Sequence, residues 1–215
     1  MTHKEFRLFF NEKISAVYPK AEVDSLYVQL MEFALNMSHA EMIIKSDEII
    51  GKHKLKNLLE YITRLEKKEP IQYIIGQVNF ADVPINVNNH VLIPRPETES
   101  LVYWIKEQEQ QNPSVLDICT GSGCIAFALE KHLHAKVNAW DISHKALQLA
   151  KQTAKAIGSS VNFSNVDILS TIDTDQKWDI IVSNPPYVLE EERAEIDGNV
   201  LHYEPHMALF TAAHD

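Results

Sequence analysis

At 215 residues the chain is long enough for a small domain joined to a medium one, and 45% apolar residues with only six Gly and nine Pro exclude a disordered or collagen-like polymer. Twenty Lys and Arg against 30 Asp and Glu leave a formal charge of -10, which disfavours a general-purpose binder of the nucleic-acid backbone, although an acidic enzyme can still meet a basic protein partner. Cys119 and Cys124 flank one turn with no Cys-x-x-Cys, and ten scattered histidines show no metal spacing. The thiols therefore read as reduced, the histidines as solvated or core residues, and no metal is expected. Lys4, Glu5 and Arg7 break the first ten residues, so no signal peptide is expected and the cytoplasm is the default compartment.

The first 70 or so residues carry apolar positions on a helical period. Thr2 with Glu5 forms a capping box ahead of Phe6, Phe9 and Phe10, and Pro19 closes that segment. A second helix opens near Ala21 and is expected to bury Val23, Leu26, Tyr27, Leu30, Phe33, Ala34 and Met37. Ser38 with Glu41 is another capping box, and Leu55, Leu58, Leu59, Ile62 and Leu65 mark a last helix before Pro70. Residues 1–75 are thus expected to form a helical bundle.

From Gly76 the period becomes two: Val78 and Phe80, then Val83, Ile85 and Val87, alternate around Ala81-Asp82, which predicts a hairpin connector over 76–93. The two prolines of Ile93-Pro94-Arg95-Pro96-Glu97-Thr98-Glu99 fix an extended entry to a helix from Glu97 to Gln110, ended by Pro113. Beyond it strands and helices alternate: strand Ser114 to Ile118, helix Gly123 to His132, strand Lys136 to Trp140, helix Ser143 to Ile157, and strands Val161 to Asn165 and Trp178 to Ser183. The expected class is α/β, a parallel sheet with right-handed crossovers whose ligand site lies beyond the carboxyl ends of the strands.

Two loops at those ends carry chemistry. In Asp117-Ile118-Cys119-Thr120-Gly121-Ser122-Gly123 the glycines let backbone approach a ligand closely. Gly121 to Ala126 also fits the G-x-G-x-x-A pattern of dinucleotide binders, and Asp141 at the end of the second strand could accept the ribose hydroxyls of either cofactor. Asp117 suits an ammonium group better than a pyrophosphate, which its charge would repel. The second loop, Asn184-Pro185-Pro186-Tyr187, decides between them: two prolines fix its backbone, the Asn184 side chain offers an acceptor for a planar amide or amine, and Tyr187 gives a flat wall. Glu190, Glu191 and Glu192 read as a solvated helix start rather than a base.

With these two loops the chain resembles the Rossmann-like class I S-adenosylmethionine-dependent amino-methyltransferases, and within them the release factor glutamine methyltransferases of the PrmC or HemK family. Glu69 to Gly76, Ile93 to Glu99 and Asn199 to Pro205 extend the likeness over most of the chain. The resemblance implies that Asp117, Thr120, Gly121, Ser122, Gly123, Cys124 and Asp141 bind S-adenosylmethionine, with Asp167 and Ile168 along its adenine. Asn184, Pro185, Pro186 and Tyr187 would hold the substrate glutamine, Asn184 also bordering the cofactor, and Asn184, Pro185 and Tyr187 would form the catalytic set. It further implies a monomer acting on class I peptide chain release factors, substrate recognition by residues 1–75, methyl transfer by residues 94–215, and no membrane or direct nucleic-acid partner. The Asn-Pro-Pro-Tyr tetrapeptide is shared with adenine methyltransferases of DNA and with ribosomal RNA methyltransferases, so a nucleic-acid base is the alternative substrate, and a non-catalytic cofactor-binding fragment is another. Two departures stand out. Cys119 takes the place of a loop glycine, so a negative φ is expected there. The family also continues beyond residue 215, so the sheet is expected to be truncated, in the order 3-2-1-4 with strand 4 at an edge.

Overall fold

The computed structural model describes residues 1–108, 112–170 and 174–211. It divides into two compact units, Met1–Ile75 and Gly76–Asp215. No helix among the described residues is long and apolar enough to cross a membrane.

The first unit contains helices α1 (His3–Ile14), α2 (Lys20–Leu35), α3 (His39–Ile44), α4 (Lys52–Glu66) and α5 (Ile71–Ile75). Both capping boxes form: Thr2 accepts the Glu5 amide and Ser38 the Glu41 amide, and each glutamate returns a bond to the cap. These bonds satisfy amides that a helix start leaves unpaired. At Glu41 they hold the carboxyl down at about 2, the Ser38 backbone bond contributing most and Lys45 adding to it. Phe6, Phe10, Leu30, Met31, Leu58 and Leu65 lie at the centre of the core, and the Phe10 and Tyr27 rings meet edge-on at 5.4 Å.

The buried face of α2 differs from expectation. Phe33 is exposed, Ala34 is half-buried, and Met31 and Leu35 are buried instead. The observed stripe is Val23, Leu26, Tyr27, Leu30, Met31 and Leu35, which at about 3.6 residues per turn drifts away from the roughly 3.5-residue spacing of the expected set toward the helix end. Met37 is buried, but beyond the helix, which Asn36 ends in the left-handed conformation. Leu59 is likewise more exposed than Leu58 beside it.

The second unit opens with a hairpin, β1 (Gln77–Phe80) and β2 (Val83–Asn86), whose turn residues Ala81 and Asp82 are both left-handed, as a two-residue hairpin turn of this hand requires. The hairpin packs within this unit. Glu99 accepts the Ala81 amide at 2.9 Å, the His132 ring contacts the Ala81 carbonyl at 2.9 Å, and the Asn86 amide donates to Thr153 at 3.2 Å.

Helix α6 (Pro96–Lys106) follows, then β3 (Ser114–Ile118), α7 (Cys124–Leu133), β4 (Lys136–Asp141), α8 (His144–Ile157), β5 (Asn162–Asn165) and β6 (Ile180–Ser183). The end expected for α6 at Gln110 lies outside the described residues; among these the helix stops at Lys106, where the apolar positions that anchor it run out. The four strands are parallel in the order β5-β4-β3-β6, the 3-2-1-4 arrangement. Trp178 and Asp179 precede β6 rather than belonging to it, because the Asp179 carboxylate accepts both the amide and the hydroxyl of Ser114. The short strand β7 (Val188–Leu189) pairs with β8 (Phe210–Thr211), and the intervening chain forms a 3-10 helix over Glu190–Glu195 and helix α9 (Gly198–Tyr203).

Candidate active site

Apolar β3 and β4 deliver two carboxylates into very different settings. Asp117 on β3 is wholly buried, its Oδ2 accepts the Thr120 hydroxyl at 2.6 Å, and its Oδ1 has no hydrogen-bond partner among the described residues. Burial pushes its carboxyl up to about 7, with the Thr120 hydroxyl opposing the push and Asp141 adding to it. Asp141 ends β4 and braces the glycine loop: its Oδ2 accepts the Gly121 amide and its Oδ1 the Ser143 amide, each at 2.8 Å. Ser143, not Asp141, caps α8, its hydroxyl accepting the Ala146 amide. Each oxygen of Asp141 keeps a lone pair for a ligand hydroxyl.

The loop itself is tied down by Thr120, whose amide donates to the Trp140 carbonyl and whose carbonyl accepts the Gly123 amide. Gly123 has φ +82°, and a Cβ there would sit 2.6 Å from the Phe127 ring, so only glycine fits. Cys119 corrects the expectation of a negative φ: it stands at +58°, the conformation a glycine would hold freely. The β3 ladder on one side and the Thr120-Trp140 bond on the other impose that turn whatever the residue. Both cysteines are free, and burial raises both thiols, Cys124 to about 12.

A cavity of about 510 Å³ opens at these strand ends. It brings together Thr120, Gly121, Ser122 and Cys124 from the first loop, Asp141 from β4, Asp167 and Ile168 after β5, and Asn184, Pro185 and Pro186 after β6. Exposed Ile142 and Ile168 give it apolar walls suited to a flat ring. Asp117 and Gly123 do not line it; they lie beneath the loop. A second cavity of about 350 Å³ adjoins, bordered by Tyr187, Val188 and Leu209. The two share Leu92, Arg95, Thr98, Asn184 and Ala208, so Asn184 stands at their junction.

Asn184 follows β6 directly, and its Nδ2 donates to the Thr98 hydroxyl at 3.4 Å, with no bond to Oδ1 among the described residues. Sequence reasoning missed the residues behind it. Glu204 is buried and its carboxylate accepts the Ile93 amide at 3.2 Å and the Arg95 guanidinium at 2.5 Å. Both partners lie in motifs that carried the resemblance, but a contact across more than 100 residues leaves no local signal.

Three strand ends converging on a glycine loop, a ribose-competent carboxylate and an Asn-Pro-Pro-Tyr loop define a Rossmann-like S-adenosylmethionine-dependent methyltransferase. The match to the methyltransferase small domain covers residues 96–203, and a match to the PrmC N-terminal domain covers residues 15–76. Release factor glutamine methyltransferases of Flavobacterium psychrophilum, Bacteroides thetaiotaomicron and Streptococcus pneumoniae are 39%, 40% and 41% identical over 100%, 96% and 95% of this chain. The chain spans 78%, 75% and 73% of their respective lengths. It belongs to the release factor glutamine methyltransferase family. Among solved structures, a Pyrococcus furiosus methyltransferase aligns over 64% of each chain at 18% identity with a TM-score of 0.42.

The residues present fit the methyl donor. The Asp141 carboxylate, the open backbone at Gly121 and the apolar walls match a ligand with ribose hydroxyls and an adenine.

Proposed function

We propose that this chain transfers a methyl group to the side-chain nitrogen of the glutamine in the Gly-Gly-Gln motif of class I release factors, giving N5-methylglutamine. The observation that carries the reading is Asn184 at the junction of the two cavities with no bond to its Oδ1 among the described residues. The larger cavity takes S-adenosylmethionine, which supplies a methyl group on a cationic sulfur. The smaller takes the glutamine side chain, with Tyr187 as the flat wall and Pro185 and Pro186 fixing the loop.

Asn184 Oδ1 accepts one amide hydrogen and turns the nitrogen toward the larger cavity. Bound S-adenosylmethionine would supply the methyl to the nitrogen that Asn184 holds and leave as S-adenosylhomocysteine, and the surplus amide proton would pass to solvent. A strong base is unnecessary, because acidity rises only as the nitrogen gains positive charge; orientation carries the catalysis. Asp141 holds the ribose, Asp117 supports the glycine loop from beneath, and Thr120 to Cys124 with Asp167 and Ile168 complete the cofactor cradle. The Met1–Ile75 bundle recognises the release factor, the enzyme works as a cytoplasmic monomer, and residues 76–93 join the bundle to the catalytic part.

Asn184→Ala tests the reading: turnover on a release factor should fall ~10² to 10³-fold, far more than cofactor affinity falls. Near-normal turnover would end it. Methylation of nucleic acid in place of the protein would favour the base-modifying alternative that the shared tetrapeptide allows.

A further inference from the structure

The chain from Asn199 to Thr211 is fastened at two points beside the amide-binding loop. At one, the Glu204 carboxylate takes the Ile93 amide and the Arg95 guanidinium, its side chain only 1% exposed. At the other, β8 pairs with β7, which starts one residue after Tyr187. Arg95 is the N-cap of α6, and its carbonyl accepts the Thr98 amide at 3.0 Å, so fixing Arg95 fixes the first turn of that helix. Thr98 in that turn is buried and holds Asn184.

We propose that Glu204 is a positioning residue for methyl transfer: through Arg95 and Ile93 it sets the first turn of α6, and through Thr98 it orients the Asn184 side chain toward the substrate amide. This rests on the reading of Asn184 as the amide acceptor. Glu204 touches neither cavity and contributes nothing to the reaction except geometry. The Glu204 carboxylate is the buried member of the pair, so withdrawing the guanidinium would leave it buried and short of a partner, which favours one fixed arrangement.

The test is kinetic, with the full chain and a release factor as substrate. Glu204→Gln keeps size and one acceptor but weakens the grip on the guanidinium; Thr98→Val removes only the hydroxyl that holds Asn184. Both should lower kcat ~10 to 100-fold, the scale of a misaligned reacting group, and for Glu204→Gln, which touches neither cavity, S-adenosylhomocysteine affinity by calorimetry should change less than about two-fold. Because Glu204 acts through Asn184, adding Glu204→Gln to Asn184→Ala should cost little beyond Asn184→Ala alone. Full multiplicative losses in the double variant, or turnover and cofactor affinity falling together, would overturn the positioning role. Normal turnover in Asn184→Ala would instead mark failure of the amide-acceptor reading itself. If Glu204→Gln does not fold, Glu204→Asp, which keeps the charge but shortens its reach to Ile93 and Arg95, takes its place, alone and with Asn184→Ala, with the same outcomes.

Discussion

Asp117→Asn turns a buried charge into a measurable linkage. Burial lifts the Asp117 carboxyl from 3.8 to about 7, so the folded chain holds that proton more tightly than the unfolded chain does. Stability from this group is therefore complete below about pH 4 and is lost as pH rises through about 7. At 1.36 kcal/mol per unit, the loss between pH 5 and pH 8 is about 3 kcal/mol. Asparagine fills the same space, keeps an acceptor for the Thr120 hydroxyl and does not titrate, at a cost of ~1 kcal/mol for the altered buried hydrogen bond. Thermal or urea unfolding of both proteins without cofactor, from pH 5 to pH 8, should show the variant gaining on the parent by about 3 kcal/mol across that range. A stability difference that stays flat with pH would refute the account of Asp117 as a desolvated carboxylate under the glycine loop. The same variant should lose cofactor affinity if its charge also serves the cationic end of the ligand, which calorimetry reads separately.

Asp141→Ala removes the brace on Gly121 and the ribose acceptors together, and should weaken S-adenosylhomocysteine binding by ~1.5 to 3 kcal/mol in calorimetry without creating affinity for NAD. Gly123→Ala forces a Cβ to within 2.6 Å of the Phe127 ring at φ +82° and should cost ~1 to 3 kcal/mol in unfolding experiments; an unchanged melting temperature would mean the loop relaxes freely. Cys119→Gly relieves a left-handed cysteine at φ +58° and should raise stability by up to about 1 kcal/mol with cofactor binding retained. Phe10→Ala in the first unit should cost ~3 to 5 kcal/mol by emptying a fully buried site, read by circular dichroism.

What was legible in the sequence follows from the range of the interactions involved. Thr2 with Glu5 and Ser38 with Glu41 close rings of three residues, so local spacing announces them, and the strand and helix alternation from Ser114 onward fixes a parallel sheet whose order topology restricts. The loops at the strand ends were found for the same reason: the fold places ligands there before any side chain is seen. Cys119 was misjudged because its φ is imposed by the β3 ladder and the Thr120-Trp140 bond, not by its own preference. Glu204, Arg95 and Thr98 could not be assigned at all, since what they do depends on contacts between segments 86 to 111 residues apart.

The central claim is that the Asn184 loop aims a glutamine amide at the cofactor methyl. The most direct measurement incubates the chain with intact release factor and isotopically labelled S-adenosylmethionine, then maps the label by peptide mass spectrometry, with nucleic acid from the same mixture counted in parallel. One methyl group on the glutamine of Gly-Gly-Gln, absent with Asn184→Ala, is the predicted result. Label on a nucleic-acid base, or cofactor bound tightly with no transfer to the release factor, would contradict it.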